Sequence, residues 1–206
     1  MYKGYAERAG FAYTSVEMRT QADVVRSCER GLGAPVKAMA LPFQRLHLLP
    51  GGHSPWVKNG PLGPRNMIVA GSWFLLREIE VSLARANAVY VDSRSSPPSV
   101  SWSLPVSKTD PRATGTSRVH GCSCPSSKPT PSCPVHAIWD QLLLLRRRVP
   151  HRFAEHEGEW KPDEDLPLFP SESEGVVTKE AVVDTILAAG KHLQIPLVSA
   201  DGAERL

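Results

Sequence analysis

Proline limits the architecture of this chain more than any other feature. Nineteen are present, and many crowd into residues 50–64, 97–111 and 125–134. Each fixes its own φ and removes a backbone donor, so helix interiors and central strands must fall between these stretches. The expected product is a set of segments joined by irregular loops. At 206 residues the chain is long enough to bury the core of one ordinary domain with a small appendage.

Between the proline-rich stretches the apolar periodicity is legible. Thr14-Ser-Val-Glu17 has capping-box spacing and opens a helix whose apolar side includes Val16, Val24, Val25, Cys28 and Leu32. Residues 36–49 read as a shorter helical stretch interrupted at Pro42, and residues 51–64 as an interdomain linker. From Asn66 to about Ala86, Val69, Trp73, Leu76, Ile79 and Leu83 recur at steps of three and four, which predicts one long amphipathic helix. Arg77 and Glu80 then project from neighbouring positions on one face.

Ala88–Asp92 and Ser99–Leu104 alternate as short strands, and a third is expected from Val106 to Thr109. Pro111–Pro134 reads as a loop holding the cysteines. Pro134 suits the first position of a helix that ends at Arg146-Arg-Arg148-Val-Pro150, and Thr178 is placed to cap another. Between them lie an acidic loop and the apolar Leu166-Pro-Leu-Phe-Pro170.

Formal net charge is only +3, but it is unevenly spread. Residues 155–174 hold eight acids against Lys161, and the remainder carries 23 basic and 13 acidic residues. Such a remainder suits a phosphate-binding surface, and it equally suits a solvated mixed surface beside one acidic loop. The polar start, the lack of any long apolar run and the sparse cysteines predict no export signal, no membrane span and an intracellular reducing compartment.

One ordered series carries chemistry. Arg77-Glu-Ile-Glu80-Val81 lies in the predicted helix, two strands follow, and Ser107-Lys108-Thr109 begins the next strand. This order resembles the catalytic domain of tyrosine recombinases, the phage-integrase family, and its texture is similar to the divergent integrase-like proteins of protists. Leu168-Phe169-Pro, the Thr178 helix and Leu193-Gln-Ile-Pro resemble the family's later run, so the resemblance spans roughly residues 64–206. It implies an α+β, mostly α fold with a small antiparallel β-sheet, acting on double-stranded DNA in recombination or integration, in multimers, with no small-molecule substrate and no cofactor needed for catalysis. Nuclear residence would follow from that partner.

The resemblance gives Arg77 the role of gripping the phosphate in the transition state, Glu80 that of orienting Arg77, and Lys108 that of general acid to the leaving 5′ oxygen. A guanidinium fork that never loses its charge and a lysine able to release a proton suit those tasks. The family's Thr-Gly step before the arginine is Leu75-Leu76 here. Its His/Lys-x-x-Arg box and distal tyrosine have no match among Tyr2, Tyr5, Tyr13 and Tyr90, so the expectation is a C-terminally truncated catalytic domain that cannot complete strand cleavage alone. Residues 1–50 would be the end of a DNA-binding domain or a leader.

A second cluster is His120-x-Cys122-x-Cys124-x8-Cys133-x2-His136. Cys122, Cys124, Cys133 and His136 can surround a structural zinc within an insertion at 118–136, with free thiols as the alternative. Arg146, Arg147, Arg148 and Arg152 are candidate DNA contacts or helix-end charges. The tryptophans read as core or interface anchors. The competing functional reading is a zinc-stapled nucleic-acid-binding module without catalysis; a decayed fragment is the third.

Overall fold

The computed structural model describes residues 41–104, 115–125, 128–156 and 159–196. The expected Thr14 helix, Cys28, Lys108 and the Val106–Thr109 strand lie outside the described residues. The fold is α+β with a small antiparallel sheet. Among the described residues are four α-helices, α1 (Pro64–Phe74), α2 (Glu78–Ser82), α3 (Pro134–Arg148) and α4 (Lys179–His192). Strands β1 (Val89–Asp92), β2 (Ser99–Leu104) and β3 (Thr116–Gly121) pair antiparallel with β2 in the centre. Strands β4 (Phe153–His156) and β5 (Glu159–Pro162) form a separate hairpin.

The single helix expected from Asn66 to Ala86 is two helices. Leu75 takes a left-handed conformation (φ 52°, ψ 48°), and the amides of Leu75 and Leu76 both donate to Gly71 O, closing α1 as a glycine usually does. Packing explains why the chain accepts a leucine there. Phe74 is buried edge-on against Trp102, Trp73 donates from Nε1 to Ser132 O, and the Leu75 side chain is left 79% exposed. The apolar period runs through the break because α2 resumes three residues later.

β2 alternates as its sequence implies: Val100, Trp102 and Leu104 are buried, and the intervening serines are not. β3 falls inside the stretch read as a loop. Thr116-Ser-Arg-Val-His-Gly is an edge strand with no buried residue, so it lacks the apolar alternation that marks a strand. The β4–β5 hairpin, expected as an acidic loop, escapes notice for the same reason.

α1 packs on α3, α2 on α4, and the three-stranded sheet lies against α3. Phe74, Trp102, Met67, Ile138, Leu145, Leu166 and Leu168 fill the space between them. Residues 51–64, expected as a linker, are tied to this core: Leu62 is buried with its amide on Pro170 O, and Gly63 donates to His53 O. The 36–49 stretch contributes only the 3-10 turn Phe43–Leu48 among the described residues. Both ends expected for α3 are observed, and Thr178 Oγ1 caps α4 by accepting from the Ala181 amide at 3.2 Å.

Candidate functional site

The sequence places three cysteines and a histidine around the junction of β3 and α3, and the fold gathers their ligand atoms to within 4.8 Å of one another. Cys122 follows the end of β3 and donates from its amide to Pro98 O at 2.7 Å. Cys133 is the residue that precedes the first turn of α3, where Pro134 needs no donor, and His136 lies within that turn. Cys124 sits on the loop between them, held by the Thr130 amide, which donates to its Sγ at 3.1 Å.

The spacing can be tested against an ion. Zinc–sulfur bonds of about 2.3 Å and zinc–nitrogen bonds of about 2.0 Å give tetrahedral edges near 3.8 Å between sulfurs and about 3.5 Å from sulfur to nitrogen. Cys133 and Cys122 sulfurs lie 3.7 Å apart, and His136 Nδ1 lies 3.3 Å from Cys124 Sγ and 3.9 Å from Cys122 Sγ. These three edges match a tetrahedral metal, and the set could hold one with all four corners supplied by protein. That closed set suits a structural ion and leaves no corner for a reacting water.

Burial alone would push both inner thiols up, and Cys122 is raised to about 11 chiefly for that reason. At Cys133 the burial is outweighed by the His136 amide and ring and by the Ser123 amide, which together bring it down to about 6. Donors directed at a sulfur favour the thiolate, the form that ligates metal. His120, which precedes the motif in sequence, is not part of the set. Its ring is packed edge-on against Trp73 and Phe74 at centroid distances of 5.3 and 4.7 Å.

Arg77 is the residue that leads into α2, not a member of a long helix. Its amide donates to Glu80 Oε2 at 2.9 Å, while Nε and Nη2 reach Glu80 Oε1 at 3.1 and 2.5 Å. The guanidinium hydrogen bond holds Glu80 below the ordinary carboxylate value, with burial opposing it and Arg118 adding a favourable charge. Arg118 on β3 also donates to Phe74 O at the end of α1, which fixes the turn that delivers Arg77.

Arg77 and Glu80 line a cleft of about 720 Å³ together with Asn87, Trp102, Leu104 and Thr116. Lys108 lies outside the described residues, but the segment that carries it departs from Leu104 and returns at Gly115, and both of these line the same cleft.

The basic run at the end of α3 divides into unlike parts. Arg146 lies 4.0 Å over the Trp160 ring, and Arg147 is exposed. Arg148 donates to Glu172 O at 3.4 Å. Arg152 is bound by Asp163 at 2.5 Å and also by Asp165.

One polar group has no sequence signal. His53 Nε2 and Asn66 Nδ2 each lie 2.9 Å from Asp140 Oδ2, and buried Gln141 donates to Leu168 O at 2.7 Å and Leu62 O at 3.3 Å. Its hydrogen-bonded side chains are up to 87 positions apart, so only the tertiary fold assembles them. No helix among the described residues is long and apolar enough to cross a membrane. No protein-family model, curated protein or solved structure matches this chain.

Proposed function

We propose that this chain binds duplex DNA, with Arg77 and Lys108 serving as phosphodiester contacts of a strand-transfer centre of the tyrosine-recombinase type. The observation that carries this reading is the cleft lined by Arg77 and Glu80, whose wall includes Leu104 and Gly115, the described residues on either side of Lys108 in sequence. The order of elements supports it as well, with α1, a tight step, the Arg-x-x-Glu turn and an antiparallel three-stranded sheet in succession. With DNA as partner the chain would work in a compartment that holds DNA, the nucleus included.

In this arrangement the Arg77 fork grips nonbridging phosphate oxygens and Glu80 limits its swing. Lys108 would supply the proton to the departing oxygen. The Cys122, Cys124, Cys133 and His136 set would hold a structural zinc that fixes the end of β3 to the start of α3. The closed ligand set also favours a second reading, a zinc-stapled nucleic-acid-binding module without catalysis.

Fluorescence anisotropy with a labelled duplex separates the two. Wild-type affinity is expected to fall steeply with salt, by a slope of about 0.9 per phosphate neutralised. Arg77→Ala and Lys108→Ala are each expected to weaken binding about ten-fold, the worth of one charge-assisted contact. If both bind as wild type while Arg147→Ala weakens binding, the module reading stands instead. Binding that ignores salt refutes DNA as the partner.

A further inference from the structure

The hairpin that follows α3 closes on its own basic neighbour. Phe153 pairs with Pro162 at the base of β4 and β5, so Arg152, just before β4, faces Asp163, just after β5. The Asp163 amide donates to Arg152 O at 2.9 Å, and the Leu166 amide donates back to Asp163 O at 3.2 Å, which fixes the turn. Arg85 holds its far side by donating from Nη1 to Asp165 O at 2.7 Å.

Within that frame Arg152 Nε donates to Asp163 Oδ2, and Nη2 donates to Asp165 Oδ1. Two carboxylate oxygens thus occupy the same fork that would grip two oxygens of a phosphate. Asp163 is 43% and Asp165 81% exposed, so solvent and polyanions can reach and replace the clasp. The same hairpin lays Trp160 against Arg146, while the chain just beyond the turn gives Glu172 O to Arg148. Three of the four arginines expected at the phosphate backbone are therefore engaged by the segment that follows them.

We propose that the Asp163–Asp165 turn is an internal phosphate mimic that holds Arg152 in reserve, so that a nucleic-acid phosphate must displace it before Arg152 joins the binding face. This rests on the DNA reading for the identity of the partner. The clasp itself concerns phosphate and can be tested apart from that partner.

The experiment compares the full chain with the double variant Asp163→Asn, Asp165→Asn, which keeps the shape of the turn and removes its charge. Each protein is titrated with labelled duplex DNA and, separately, with inorganic polyphosphate of fixed length. The double variant is expected to bind both probes about three- to ten-fold more tightly at low salt, with a salt slope steeper by about one. Adding Arg152→Ala to the double variant should abolish the gain. A gain that survives Arg152→Ala comes from bulk charge and overturns the proposal, as does equal binding of polyphosphate by wild type and double variant. If polyphosphate distinguishes the proteins while duplex DNA binds neither, the DNA reading falls and the clasp stands.

Discussion

Supplying and withholding zinc at the Cys122, Cys124, Cys133 and His136 set, which could hold a metal, is the perturbation with the most directly calculable consequence. Three of the six edges, 3.7, 3.3 and 3.9 Å, each lie within a few tenths of an ångström of a zinc tetrahedron, and all four ligand atoms lie within 4.8 Å of one another. The set could thus close on an ion, and the binding energy would accrue to the folded state. A ligand that binds only the native form at about a hundred times its Kd stabilises by about 2.7 kcal/mol. For a domain of this size each kcal/mol moves Tm by about 2–4 °C, so zinc should raise Tm by about 5–11 °C over the chelated protein.

Native mass spectrometry should show one zinc per chain, lost in Cys133→Ser, and a chelator should lower the wild-type Tm but not that of the variant. Cobalt exchanged into the site should give the intense visible bands of a tetrahedral thiolate complex. A wild-type mass without metal after dialysis against zinc, together with a Tm indifferent to chelator, would refute the argument from geometry.

The remaining predictions concern backbone and charge. Leu75→Gly relieves a left-handed leucine at a cost in unfolded-state entropy, and should stabilise by about 0.5–1 kcal/mol in urea unfolding; a loss would show that the exposed leucine makes contacts of its own. Gly63→Ala should destabilise by about 3 kcal/mol, because φ is +67° and the new Cβ would lie 2.0 Å from Gln141 Oε1; a midpoint within error of wild type sinks that reasoning.

Burial opposes ionisation of Asp140, but the hydrogen bonds from Asn66 and His53 outweigh it and hold the carboxyl below 3.8. A depressed folded pKa gives stability that is present above the unfolded value and fades as pH falls through the folded one. Asp140→Asn should therefore lose less stability than wild type between about pH 5 and pH 2.5 in urea unfolding. Equal losses in the two proteins would discount the network.

Where burial falls on one face, the elements were legible from local pattern. β2 declares itself because alternate residues enter the core, and α3 and α4 because proline or threonine opens an apolar stripe. β3 and the β4–β5 hairpin were not, since strands with little to bury leave no hydrophobic period to read. The helix break at Leu75 was hidden for the opposite reason. The period continues across it, and the residue in the left-handed position is not the glycine that normally announces one.

The candidate metal set could be read from spacing, because Cys-x-Cys and Cys-x-x-His keep ligands close along the chain whatever the rest does. His120 shows the limit: it shares the motif, but aromatic packing against Trp73 and Phe74 claims its ring. The basic run shows another. Sequence supplies the charges of Arg146 and Arg152, yet only the tertiary fold decides that Trp160 and two aspartates meet them. Sequence by itself thus determined what is local: which residues can ligate metal, which segments bury one face, and where the charge lies. Tertiary structure alone decided which of those groups are already partnered, because pairing depends on contacts between residues far apart in the chain, and no local period records them.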